Sequence, residues 1–149
     1  MKGFGEKNQS NREKKLKNKQ DANINQLIKK AFGLQSKGKK IEAAKYYSYI
    51  IKQGIKDYRV FSNYGIFLNE IGKQKEAELK LRKAISLNPS YANAYYNLGF
   101  ILKDLGRLQE AVSFYQKVLD IDPQFTDAYL SLSTIQASDK DQKLSLIHI

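Results

Sequence analysis

Apolar residues recur along most of the chain with the spacing of an amphipathic helix. One run on a single helical face consists of Tyr95, Leu98, Ile101, Leu102 and Leu105. A second consists of Leu108, Ala111, Val112, Tyr115, Val118 and Leu119. Gly106 separates the two runs and Pro123 follows the second, and both residue types stop helices. The pattern predicts a helix, a tight turn and a second helix.

This two-helix pattern occurs twice, at an interval of 34 residues. Identical residues stand at this interval in the pairs Gly65 and Gly99, Leu68 and Leu102, Gly72 and Gly106, Ala77 and Ala111, and Pro89 and Pro123. Self-similarity at a fixed interval of this size is typical of repeat architectures. Two complete units are therefore predicted, 58–91 and 92–125.

Small residues at matching places indicate how the two helices of a unit pack. Gly65 and Gly99 lie in the middle of predicted helices, where glycine costs roughly 1 kcal/mol relative to alanine. A costly residue that returns at the same place predicts the close approach of another backbone. Ala77 and Ala111 are expected to supply the small surface opposite.

The pattern resembles the tetratricopeptide repeat. In the second unit the matching residues are Tyr95, Leu98, Gly99, Leu102, Ala111, Tyr115 and Pro123. In the first they are Phe61, Tyr64, Gly65, Leu68, Ala77, Leu81 and Pro89. The resemblance implies an all-α fold, a right-handed superhelical array of antiparallel helix pairs.

Incomplete units flank these two. A degenerate unit over 24–57 keeps the glycine of the turn at Gly38 and an alanine at Ala43, but Lys30 replaces an apolar residue and Ile55 replaces the closing proline. A lysine there suits a terminal repeat, which has one face without a neighbour. After Pro123 the first helix of a further unit is predicted over 126–137, and the array as a whole spans 24–137.

Residues 1–23 are polar and rich in lysine, and their only apolar members are Met1, Phe4, Leu16 and Ala22. These are too few to offset the entropy lost on ordering, so a disordered basic arm is predicted. Its two candidate roles are to keep the chain in solution and to hold an anionic partner.

Residues 138–149 leave the repeat pattern and are predicted to be irregular. The stretch from Leu144 to Ile149 resembles the translation of a transposon adapter used in sequencing libraries. We therefore expect non-native sequence here, and an amino-terminal fragment of a longer bacterial protein. The alternative is a native apolar tail that packs beside the last helix.

The composition leaves little room for catalysis. There is no cysteine, and the single histidine is His148 at the chain end. We expect no catalytic constellation, metal site or cofactor, and predict that this chain is not an enzyme. No apolar run is long enough for a secretion signal or a membrane span, so a cytoplasmic protein is expected.

In a stack of such units the first helices line a concave groove. Positions on these helices away from the packing stripe form three rows: Phe32, Ile66 and Phe100; Ile28, Ser62, Tyr96 and Leu130; Lys29, Asn63, Asn97 and Ser131. The candidate peptide-binding residues are Lys29, Phe32, Asn63, Ile66, Tyr96, Asn97 and Phe100. Amides can hydrogen-bond a peptide backbone while apolar pockets take its side chains. The alternative is that the asparagines only mark the family and the apolar row is partly buried.

The resemblance implies two known uses of such grooves. A cationic clamp for a terminal carboxylate fits poorly, because Ile28 and Asn97 stand where the clamp needs cations. An asparagine ladder, as in glycosyltransferases with such arrays, fits Asn63 and Asn97 better.

Charge is concentrated in the first part of the chain. Residues 1–91 carry 21 basic and 8 acidic residues, and 92–149 carry 5 and 7. This favours an acidic protein or peptide partner. Nucleic acid is the weaker candidate, because the lysines are scattered around helices and no known nucleic-acid motif occurs.

Two functions remain open. The first is a scaffold for protein–protein interaction that binds a peptide in the groove. The second is the substrate-presenting front region of a larger sulfotransferase or glycosyltransferase, whose catalytic domain would follow Ile149.

Overall fold

The computed structural model describes residues 4–147, and its regular structure over that range is entirely helical. The helices are α1 (Phe4–Ser36), α2 (Lys40–Lys52), α3 (Tyr58–Glu70), α4 (Gln74–Leu87), α5 (Ala92–Asp104), α6 (Leu108–Ile121) and α7 (Thr126–Ile147). The all-α prediction is confirmed. The chain divides into two compact units, Met1–Ile55 and Lys56–Ile149. The single histidine, His148, lies outside the described residues.

We call these two compact units the first and second units. The second unit, Lys56–Ile149, contains both complete 34-residue repeats. Helices α3 and α5 begin and end 34 residues apart, and so do α4 and α6. Within each repeat the two helices pack as a hairpin, and α4 then packs on α5 and α6 on α7. Both predicted repeats, 58–91 and 92–125, are therefore helix pairs stacked on their neighbours.

Glycine ends the first helix of each hairpin as predicted. Gly72 and Gly106 have φ values of 83° and 76°, in the left-handed region that suits glycine. The N–H of Lys73 then donates to Leu68 O and that of Arg107 to Leu102 O, both at 2.8 Å. These bonds satisfy carbonyls that a helix end would otherwise leave unpaired, as in a Schellman motif.

The predicted proline stops also recur. Asn88 Oδ1 accepts the N–H of Ser90 at 3.1 Å, and Asp122 Oδ1 accepts that of Gln124 at 3.0 Å, so each side chain spans its proline. The first unit differs: α2 ends at Lys52, and Gly54, two residues later, has a φ of 77°. A glycine there replaces the missing proline, which the sequence pattern did not reveal.

Gly65 and Gly99 lie where two helices meet. A Cβ atom on Gly65 would stand 2.9 Å from Leu81 Cγ and 3.2 Å from the carbonyl oxygen of Ala77. One on Gly99 would stand 2.9 Å from Tyr115 Cε1. The predicted approach of another backbone is confirmed at Gly65, and at both glycines the nearest atoms belong to a side chain one turn beyond the predicted alanine.

The structure corrects the predictions for both chain ends. Helix α1 begins at Phe4 and runs through the segment predicted to be disordered. Helix α7 continues past Ala137 to Ile147, where an irregular tail was predicted. Neither segment contains proline, and Lys, Glu, Gln and Leu favour helix even when the helix buries nothing.

Asp57 caps the N-terminus of α3. Its Oδ1 accepts the N–H groups of Arg59 and Val60 at 2.9 and 3.4 Å, and Arg59 Nη2 donates to Oδ2 at 2.7 Å. Burial opposes ionisation of this carboxyl, but the hydrogen bonds from Arg59, then Val60, hold the pKa of Asp57 below its ordinary 3.8.

We expect Asp57→Ala to lower the free energy of unfolding by about 1 kcal/mol at neutral pH. Because the folded-state pKa is lowered, the ionised cap stabilises the fold above pH 3.8, and this is lost as the pH falls through the folded pKa. Urea unfolding should therefore show the difference from wild type shrinking on acidification. Asp120→Ala, which removes an exposed carboxylate of α6, is the control. If the difference in the free energy of unfolding between Asp57→Ala and wild type did not change with pH, the capping role would be contradicted.

Candidate functional site

The predicted binding residues of the second unit lie on two neighbouring helices, α3 and α5. Asn63 and Ile66 on α3 are half-buried, as is Asn97 on α5. Phe100 is 39% exposed. Because the helices repeat at 34 residues, Asn63 matches Asn97 and Ile66 matches Phe100. An amide and an apolar side chain thus reach the surface together on both helices.

A cation also belongs to this surface. Lys103 Nζ lies 5.0 Å from the centroid of the Phe100 ring, within cation–π range. Lys103 is not among the residues predicted from the sequence, although a lysine three residues after an aromatic on one helix indicates such a contact. It adds positive charge beside the apolar end of the surface.

Tyr96 is shared between the surface and the core. Its ring centroid lies 5.6 Å from that of Tyr115 and 5.1 Å from that of Phe125. In its predicted row Ile28 and Ser62 are buried, whereas Leu130 is 61% exposed. The Ser62 hydroxyl has no hydrogen-bond partner among the described residues.

Lys29 and Phe32, the other predicted binding residues, belong to the first unit. Lys29 is exposed on α1. Phe32 is half-buried, and its ring centroid lies 6.0 Å from that of Tyr47. Phe32 therefore packs inside its own hairpin as well as reaching the surface.

Tyr115 is a structural group. It is fully buried in α6, and burial raises the pKa of its hydroxyl to about 12, against a smaller opposing effect from Ser131. A phenol that stays neutral at physiological pH and is closed to solvent is suited to packing against Gly99.

An ion network joins the second helices of adjacent repeats. Glu78 on α4 accepts from Arg82 at 2.8 Å and from Arg107 at 3.0 Å, and Arg107 also pairs with Glu110 at 2.7 Å. Burial opposes ionisation of the Glu78 carboxyl, but the hydrogen bonds from Arg82 and Arg107 hold its pKa below the ordinary value. Both arginines form ion pairs with carboxylates, so this network stabilises the packing of one repeat on the next.

Within residues 4–147, no group of three or more His, Cys, Asp and Glu side chains is arranged to hold a metal ion. Nor is any helix in that range long and apolar enough to cross a membrane.

Family models match the repeat region. The model described as "Tetratricopeptide repeat" matches residues 92–125, a complete predicted unit, and one described as "TPR repeat" matches 68–106. No curated protein matches this chain.

Several solved structures share the fold. The crystal structure of MamA is 25% identical, with a TM-score of 0.74, over 85% of this chain and 74% of that one. The first TPR of Spaghetti (RPAP3), bound to the HSP90 peptide SRMEEVD, is 26% identical, with a TM-score of 0.71, over 77% and 91%. The second TPR domain of human RPAP3, in complex with the HSP70 peptide SGPTIEEVD, is 29% identical, with a TM-score of 0.65, over 74% and 92%.

Proposed function

This chain is a tetratricopeptide repeat protein, and from that premise we propose that it is a protein-interaction scaffold which binds an extended peptide on α3 and α5. The observation that carries the proposal is the recurrence of one amide and one apolar side chain, both reaching the surface, on adjacent first helices. The peptide complexes of the two RPAP3 domains support it as precedents for this fold.

The surface chemistry suits a peptide backbone with an apolar side chain. The amides of Asn63 and Asn97 can each donate to a peptide carbonyl and accept from a peptide N–H. Ile66 and Phe100 offer an apolar contact one turn along. Lys103, beside Phe100, would favour an acidic residue in the peptide.

The proposed role is binding without chemistry. The acidic groups with shifted pKa values in the second unit are held by structural partners: Asp57 caps a helix, Glu78 and Glu110 pair with arginines, and Tyr115 packs in the core. In the alternative, the substrate-presenting region of a larger transferase, the same surface would bind an acceptor chain. One binding experiment therefore tests the surface for both functions.

The test begins by selecting binders of the full chain from a library of random linear peptides. We expect the variant carrying Asn63→Ala and Asn97→Ala to bind the selected peptides roughly tenfold more weakly, because each lost hydrogen bond contributes about 0.5–1.5 kcal/mol. Fluorescence anisotropy measures the affinities, and far-UV circular dichroism verifies the helical content.

Matched controls lie on second helices. Gln116→Ala removes an exposed amide from α6, and Leu79→Ala removes an apolar side chain that is 67% exposed on α4. Each should change affinity less than about twofold, because these positions face away from a peptide on first helices. If every selected peptide binds the asparagine double variant as tightly as wild type, this surface is ruled out as the peptide site.

A further inference from the structure

The first unit has a groove of its own between α1 and α2. It has a volume of about 500 Å³ and is lined by Asn23, Leu27, Lys45, Tyr46 and Tyr49. Leu27 and Tyr46 are half-buried, and Tyr49 is 51% exposed. The groove thus offers an aliphatic wall on one helix and two phenol rings on the other, and none of its residues belongs to the surface described above.

A shallow strip on α1 extends this groove. It is lined in part by Leu16, Lys19 and Asn23, of which Asn23 also lines the groove. Positions 16, 19, 23 and 27 are three or four residues apart, so they share one face of the helix. Leu16 is 67% exposed. An apolar residue therefore stands at each end of a strip about three turns long.

Nearly all of the chain's net charge belongs to this unit. Residues 1–55 contain 14 Lys and Arg against 4 Asp and Glu, whereas 56–149 contain 12 against 11. Lys45 lines the groove itself, and Lys30 Nζ lies 5.2 Å from the centroid of the Tyr46 ring. An apolar groove surrounded by positive charge is complementary to an apolar side chain flanked by carboxylates.

We propose that this groove binds an acidic protein segment, which places a large apolar side chain between Leu27 and Tyr49 and its carboxylates beside Lys30 and Lys45. Single-stranded nucleic acid fits less well because it needs open aromatic faces for stacking. Here Lys30 already lies over one face of Tyr46, and Leu27 forms a wall suited to an aliphatic group. This second site is independent of the α3 and α5 surface.

The test uses the full chain and two fluorescein-labelled peptides of equal length. One contains leucines spaced among glutamates, and the other is poly-glutamate. We expect the leucine-containing peptide to bind at least about tenfold more tightly, because only it can bury an apolar side chain. Its binding should weaken as salt concentration rises.

Two groove variants and two matched controls locate the site. Tyr49→Ser should weaken binding of the leucine-containing peptide about tenfold, and Lys45→Glu about fivefold. Lys37→Glu makes the same charge change in the exposed turn after α1, and Leu79→Ser removes an apolar side chain that is 67% exposed, against 51% for Tyr49, from the second unit. Each control should change affinity less than about twofold. Lys45 is exposed, so its replacement keeps the test valid if Tyr49→Ser disturbs the hairpin.

Several results would overturn the proposal. Equal affinity for the two peptides would show that binding depends only on charge. If Lys37→Glu weakened binding as much as Lys45→Glu, the groove would not be the binding site. Tighter binding of a labelled single-stranded oligonucleotide, weakened by Tyr49→Ser, would assign the groove to nucleic acid. Loss of peptide binding in the Asn63→Ala and Asn97→Ala double variant, but not in Lys45→Glu, would assign the peptide to the other surface.

Discussion

Replacing Gly99 with leucine is expected to lower the free energy of unfolding by about 3 kcal/mol, the upper end of the usual cost of overpacking a core. The first added carbon would already stand 2.9 Å from Tyr115 Cε1. Tyr115 is fully buried, so its ring has no open space into which to move. Either α5 and α6 separate or the tyrosine leaves its rotamer, and urea unfolding followed by circular dichroism measures the loss.

Two controls separate this clash from general effects on helices. Gly33 is also helical, but a Cβ there would meet nothing within 4 Å, so Gly33→Ala should raise stability by up to about 1 kcal/mol. Lys103→Ala, on the same helix as Gly99, loses only the contact with the Phe100 ring and should lower stability by less than about 1 kcal/mol. If Gly99→Leu unfolds at the same urea concentration as Lys103→Ala, the nesting of α5 on α6 through Gly99 is refuted.

Leu81→Ala should have a comparable effect in the neighbouring hairpin. Leu81 is fully buried on α4 and lies directly over Gly65 on α3. Its truncation removes buried carbons and leaves a cavity, which costs about 2–5 kcal/mol for leucine in a core. Chemical denaturation should report a loss near the middle of that range.

A double-mutant cycle tests whether Gly65 and Leu81 are energetically coupled. Gly65→Ala alone places a Cβ 2.9 Å from Leu81 Cγ, but Leu81→Ala removes that atom and the new methyl can enter the space. The double variant should therefore be about 1 kcal/mol more stable than the sum of the single changes predicts. Gly65→Ala combined with Val118→Ala, on the non-adjacent α6, should be additive. Equal coupling in both pairs would contradict a specific contact.

The sequence predicted the repeats of the second unit well, because their signals are local. A glycine with positive φ at Gly72 and Gly106, and a proline after Asn88 and Asp122, stop helices wherever they occur. Apolar spacing then decides which face each helix buries. The helix bounds accordingly repeat at the predicted interval.

The exposure of the proposed binding residues was predicted only in part. Asn63, Ile66, Asn97 and Phe100 reach the surface as expected, but Ser62 in the adjacent row is buried. Helical spacing fixes the angle of a side chain around its own helix, and it gives no distance to the next helix. The α1–α2 groove was missed for the same reason, since it depends on which side chains of two helices meet. Lys103 and Phe100 lie three residues apart on one helix, so their contact could have been predicted from spacing.

That this chain folds as helical hairpins at a fixed interval follows from its amino-acid sequence alone, since helix-stopping residues and apolar periodicity act within a few residues of each other. Which side chains meet across neighbouring helices is known only from the folded structure. Glu78 pairs with Arg107, 29 residues away, and the atoms nearest to Gly99 belong to the ring of Tyr115. These contacts depend on how closely and at what offset neighbouring helices pack, because packing is set by the combined shape of many side chains.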